Sequence, residues 1–218
     1  MKLIKPPALR PGDTLGIVTC SVPLHLASAD SLARSFDYLR SKGFKLVEAP
    51  NCRILTGHTA GTIKDRVKAL HAFFRDPKIH GILSFWGGMQ SHQLLEHLDF
   101  DLIKRHPKIF VGYSDTTALQ VGIHAKTGLV SFSGPAGITF GKPTVPDFTW
   151  AGFEEVLMNS ASSTRLVASS QFSDNFWHRE SPHRMDFERN PGWKIFRRGK
   201  AEGPIIGGNL GTMLLLAG

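Results

Sequence analysis

Cysteine is scarce: Cys20 and Cys52 are the two in a chain of 218 residues. One bridge at most could form, so a disulfide-stapled scaffold is excluded, and in a reducing compartment two free thiols are expected. Long apolar runs are missing as well. No window approaches the roughly 18 uninterrupted apolar residues that a membrane span needs, so no membrane partner is expected. Residues 1–10 carry Lys2, Lys5 and Arg10 but no apolar stretch or small-residue cleavage site. A secretory leader is therefore not expected, and the cytoplasm is the expected compartment. No H-E-x-x-H run and no Cys/His cluster at ligand spacing occurs, so neither a metal nor a cofactor is expected.

Acidic residues are outnumbered, 18 Asp and Glu against 26 Lys and Arg, which gives a net charge of +8. Nucleic acid is one partner for such a balance, through the salt-dependent phosphate term. The distribution argues otherwise. The densest basic stretch, Arg179 to Lys200, interrupts Arg184, Arg189, Lys194, Arg197 and Arg198 with Glu180, Asp186 and Glu188. No RNP-type aromatic signature, zinc-finger spacing or basic heptad accompanies it. It reads as a solvated linker, and a small anionic substrate suits the charge equally well.

What the sequence does have is alternation of period. "TLGIVTC" (14–20), "FKLVEAP" (44–50), "HGILSFWGG" (80–88) and "KIFVGY" (108–113) are compact apolar runs of strand length. Between them, Leu32, Phe36 and Leu39 recur at helical spacing over residues 28–42, behind Asp30 or Ser31 as cap. Ile63, Val67, Leu70 and Phe74 do the same over residues 62–74. Gln90 to Arg105 reads as helix in two pieces around Asp99. Alternating strands and amphipathic helices predict an α/β fold: a parallel, flavodoxin-like sheet in three layers.

Such sheets place chemistry at the C-terminal ends of their strands. Three ends stand out: Thr19 to Ser21, Trp86 to Met89, and Gly112 to Asp115. The last has the character of a nucleophile elbow, with Gly112 before the turn and Ser114 at its tip. Thr116 replaces the usual second glycine, so the generic G-x-S-x-G pattern fails. A Ser/Asp helix cap is the plain alternative.

The flanking residues identify a family. Gly87-Gly88, "LLEHLDFDLI" (94–103), "PKIFVGYSDTTAL" (107–119) and Gly134-Pro135 follow one another in an order that resembles the serine LD-carboxypeptidases. "LRPGDTLGIV" (9–18), "AGTIKDRV" (60–67) and "AEGPIIGGNL" (201–210) extend the likeness over nearly the whole chain. "GGMQSHQLL" and "NPGWKIFRRGKAEG" are most similar to the microcin self-immunity branch. The resemblance implies a metal-free serine hydrolase with Ser114 as nucleophile, a histidine base and an orienting glutamate. It also implies backbone oxyanion donors at Asp115 and Gly88, with Gly87 completing the turn. The substrate would be a small anionic peptide, a muropeptide, or a peptidyl-nucleotide analogue, cut at an amide next to a free carboxylate. Relatives commonly form homodimers.

In the family the glutamate and histidine lie beyond the segment that matches residues 203–218, so the resemblance supplies neither here. A chain truncated within its C-terminal domain is the expectation, and the apolar, uncapped "NLGTMLLLAG" agrees with it. Residues 1–165 are expected to form the domain carrying the nucleophile, 166–189 a linker, and 190–218 the start of an incomplete C-terminal domain. His92, His97, His106, His178 and His183 are expected at the surface, as are Glu154 and Glu155 on a helix. Trp86, Trp177 and Trp193 are candidates for stacking on a base or for plain core cover. A non-catalytic ligand-binding protein on the same fold is the alternative function.

Overall fold

Each apolar run becomes a strand and each amphipathic run a helix, in alternation. The protein's computed structural model describes residues 2–159, 163–175 and 185–217. β1 (Thr14–Val18) leads to α1 (Ala29–Ser41) and β2 (Lys45–Glu48). A small hairpin, β3 (Leu55–Thr56) with β4 (Thr59–Ala60), precedes α2 (Ile63–Arg75) and β5 (Gly81–Ser84). A 3-10 segment (Ser91–His97), α3 (Phe100–Arg105), β6 (Ile109–Gly112), a 3-10 turn (Ser114–Thr116) and α4 (Thr117–Thr127) follow. Then come β7 (Phe132–Ser133), a 3-10 segment (Gly137–Gly141) and α5 (Asp147–Leu157). The remainder holds β8 (Gln171–Phe172), β9 (Glu188–Arg189) and α6 (Leu210–Leu216).

Five strands make one parallel sheet in the order β2-β1-β5-β6-β7. Counted along the chain this is 2-1-3-4-5, the flavodoxin-like order, with its switch point between β1 and β5. Register is set by apolar partners such as Ile17↔Leu83 and Ile82↔Phe110. β5 and β6 are buried at every residue, which is why their sequences run apolar without alternation. Edge strand β2 is exposed or half-buried throughout.

Helix ends follow from their capping side chains. Thr62 and Asp65 close a capping box on α2, and Asp99 accepts from Leu102 N–H at 2.8 Å to start α3. At the other end of α2, the buried ammonium of Lys108 donates to the carbonyls of Phe73 and Asp76. On α1 the cap is Ser28, which accepts from Ser31 N–H at 3.2 Å, rather than Asp30 or Ser31. Packing is aromatic where α1 and α5 meet: Trp150 stacks on Phe153 at 5.2 Å and Tyr38 on Phe140 at 5.6 Å. Cys20 and Cys52 are buried and unpaired, as two free thiols should be.

The stretch read as a patternless linker contains structure: β8 and β9 pair antiparallel, Gln171↔Arg189 and Phe172↔Glu188. Two-residue strands are too short to show a period of two. Part of that stretch, including Trp177, His178, Arg179 and His183, lies outside the described residues. "NLGTMLLLAG" does form a helix, α6, capped by Asn209, and none of its residues is buried. No described helix is long and apolar enough to cross a membrane.

Candidate active site

Directly after β6 the backbone leaves ordinary geometry. Ser114 has φ +61°, the one positive value at a non-glycine position among the described residues. Such a conformation costs a residue with a Cβ about 1 kcal/mol or more and is held only when its surroundings impose it. Here the surroundings are a strand that ends at Gly112 and a helix that begins at Thr117. A Cβ on Gly112 would stand 2.8 Å from Ser84 Cβ and 3.1 Å from Thr116 Cγ2. Thr116, where the generic elbow has glycine, donates its hydroxyl to Ser84 Oγ at 2.9 Å. The missing second glycine is thus compensated by the first, which makes room for the threonine.

The loop after β5 closes against this turn. A Cβ built on Gly87 would lie 3.1 Å from Ser114 Cβ, 3.2 Å from its Oγ and 3.5 Å from Asp115 N. Gly88 has φ +145°, and a Cβ there would overlap Ser21 Oγ at 2.1 Å. Only glycine fits that spot. Ser21, buried after the end of β1, accepts from Met89 N–H at 3.1 Å and Gln90 N–H at 3.0 Å, and donates to Gln90 Oε1 at 2.7 Å. The Gly88 and Asp115 N–H groups carry no hydrogen bond among the described residues.

Two buried charges hold the same loop. Asp115 Oδ2 accepts from Ser91 N–H at 3.0 Å, and Ser91 Oγ donates to Asp115 O at 2.6 Å. Arg66, 3% exposed, donates from Nη1 to Cys20 O at 2.8 Å and Gln90 O at 3.2 Å, and from Nη2 to Gln93 Oε1 at 3.1 Å. Burial lowers the Arg66 pKa, while Cys20 and Asp115 oppose that shift. Burial also pushes the Cys20 thiol up to about 12, so it has no reactive thiolate near neutral pH. On the open side of the elbow, Asn209 N–H donates to Thr117 Oγ1 at 3.0 Å and Thr212 Oγ1 to Ser114 O at 3.5 Å.

Ser114, Asp115, Gly87 and Gly88, the four positions singled out from sequence, therefore converge. Arg66 was missed, although a signal existed: it sits on the same helical stripe as Ile63 and Leu70, where an exposed arginine does not belong. The loop-holding role of Ser21 had no local signal. Among the described residues no histidine nitrogen or carboxylate oxygen hydrogen-bonds Ser114 Oγ. His97 and His106 are exposed as expected. His92 is not a plain surface residue: its Nδ1 is buried and has no hydrogen-bond partner. Glu154 and Glu155 are exposed on α5; Trp86 is half-buried and Trp193 is exposed. No group of three or more metal-ligating side chains occurs among the described residues. A groove along α2 lined by Lys64, Lys68, His71 and Arg75 shares no residue with this site.

A strained serine on a strand–turn–helix of a flavodoxin-like sheet, facing a glycine loop, defines the elbow class of sites. The chain belongs to the LD-carboxypeptidase family, whose N-terminal domain matches residues 15–134. It is 38% identical over 211 residues to the microcin C7 self-immunity protein of Escherichia coli, covering 93% of this chain and 60% of that protein. The crystal structure of a MccF-like protein from Bacillus anthracis superposes with a TM-score of 0.93 at 34% identity, covering 98% of this chain and 64% of that one. The microcin C7 self-immunity protein in complex with aspartyl sulfamoyl adenosine gives a TM-score of 0.87 at 36% identity, with 96% and 64% covered. The chain thus spans about six-tenths of the length of these relatives.

Proposed function

We propose that this chain carries the nucleophile of a serine carboxypeptidase, with Ser114 attacking an amide next to a free carboxylate. The observation that carries the reading is a serine held at positive φ, with two unengaged N–H groups, Gly88 and Asp115, beside it. Ser114 Oγ adds to the amide carbonyl carbon and its proton passes to a base. The carbonyl oxygen becomes an oxyanion and accepts from the two backbone donors, the kind of stabilisation worth about 3–4 kcal/mol per donor. Collapse expels the amine, which takes the proton, and water then hydrolyses the acyl ester. No metal or cofactor is required by these steps.

For the substrate, the self-immunity relative solved with aspartyl sulfamoyl adenosine supports a peptidyl-nucleotide analogue, and a relative named a probable murein peptide carboxypeptidase supports a muropeptide. Both are anionic, in keeping with the net charge of +8. On this reading the protein works in the cytoplasm, where Cys20 and Cys52 stay reduced, and two copies associate as a homodimer. The base and its orienting glutamate are not among the described residues around Ser114, so the 218 residues by themselves are expected to turn over little substrate.

The test uses the product of the complete gene. Mass spectrometry should find a fluorophosphonate adduct on Ser114, and Ser114→Ala should lower kcat by about 10³-fold or more. Turnover surviving that change would overturn the assignment. The bare Ser114 hydroxyl also favours a second reading, a ligand-binding protein without catalysis. That reading predicts calorimetric binding of aspartyl sulfamoyl adenosine with no hydrolysis by any form of the protein.

A further inference from the structure

One peptide unit in the loop, Gln90–Ser91, is held at both ends by buried charges of opposite sign. Its carbonyl accepts from the Arg66 guanidinium at 3.2 Å and its N–H donates to the Asp115 carboxylate at 3.0 Å. Among the described residues Arg66 makes no ion pair with a carboxylate within 4 Å; its other contacts are the neutral acceptors Cys20 O, Gln93 Oε1 and Thr62 O. A buried guanidinium spent on carbonyls is unusual, because desolvating it is costly unless it fixes something.

What it fixes is the distance between two elements. Asp115 belongs to the elbow, Gln90 and Ser91 to the loop, and Arg66 to α2 behind them. Through Cys20 O the same guanidinium also ties in the end of β1. The peptide dipole lies between plus and minus, so reversing it would place its carbonyl against a carboxylate and its N–H against a cation. Two and three residues upstream, Gly88 and Gly87 have no side chains to hold them, and the intervening N–H groups of Met89 and Gln90 donate to Ser21 Oγ, with Met89 N–H also reaching Gln90 Oε1 at 3.3 Å.

We infer that Arg66 and the Asp115 side chain are positioning residues that clamp the Gln90–Ser91 peptide and so set where the Gly88 N–H stands relative to the Asp115 N–H and Ser114. This gives Asp115 two tasks: its backbone offers one donor, and its carboxylate locates the other. The inference rests on the reading of Ser114 as nucleophile, yet the clamp can be tested without turnover.

Amide hydrogen exchange by NMR on the 218-residue chain reads the clamp directly. Arg66→Met should speed exchange at Met89, Gln90 and Ser91 at least tenfold and leave the amides of β5 and β6 unchanged, and Arg66→Lys should restore most of the protection. Unchanged exchange in the loop, or equal acceleration across the whole sheet, overturns the clamp. In the complete gene product, Arg66→Met should lower kcat at least tenfold with KM nearly constant, with Arg66→Lys recovering part of the loss. A fall confined to KM overturns the positioning role. If wild-type Ser114 neither reacts with a fluorophosphonate nor turns over substrate, the nucleophile reading fails, and the exchange result alone decides the clamp.

Discussion

Residues 9–157 and 163–217 are built from similar side chains and end in opposite states. Every buried apolar residue among those described lies between Leu9 and Leu157, and Phe74, Phe85, Phe110 and Phe140 are almost wholly enclosed. Beyond residue 157 no described residue is buried; Phe196 is 88% exposed and Ile205 94%. Apolar composition therefore does not make a core by itself. A core forms where strands and helices repeat closely enough to cover each other, and the described residues of the later region hold two short strands and one short helix. Its ties to the earlier one include Asn209 N–H on Thr117 and Thr212 on the Ser114 carbonyl.

The contrast is best broken at its strongest point. Phe110→Ala, in a central strand and edge-on to Phe74 at 6.4 Å, should lower unfolding free energy by about 3–5 kcal/mol in urea titration. Lys108→Met removes the cation that closes α2 and should lower it by about 1–2 kcal/mol at neutral pH. Burial holds the Lys108 pKa down, to about 8 from 10.5, so the folded state sheds the proton before the unfolded one. Stability from this group is full above 10.5, falls as pH drops toward 8, and is flat below. The advantage of wild type over Lys108→Met should accordingly grow between pH 8 and 10.5, and a pH-independent difference would contradict the buried ammonium. At the weak end, Leu214→Ser on α6 should change unfolding by under about 0.5 kcal/mol. A loss as large as that of Phe110→Ala would show that α6 is packed in solution.

Much of the first region was legible because its signals are local. Continuous apolar runs marked β1, β5 and β6, and the stripe Ile63, Val67, Leu70, Phe74 marked α2. Near α1, Asp30 and Ser31 were the expected caps, and the helix is capped by Ser28 instead, whose hydroxyl accepts from Ser31 N–H. The site was legible to the extent that it is contiguous: Gly112 to Asp115 announce a turn, and Gly87-Gly88 a close approach. Its rear wall was not, because Arg66 to Gln90 spans 24 residues and Ser21 to Gln90 spans 69. Such contacts arise from strand order, which periodicity does not encode. The pairing of β8 with β9 was hidden for a different reason, since two residues cannot display alternation.

The positive φ of Ser114 sets two demands on that position against each other. Glycine would adopt the same backbone without the steric penalty, about 1 kcal/mol or more, that serine bears there. For folding alone, then, the position is better served by the smallest residue, which offers no hydroxyl. Stability screening of this chain would drift toward Ser114→Gly and reward a protein without the proposed nucleophile, so variants at the elbow have to be ranked by reactivity rather than by melting temperature.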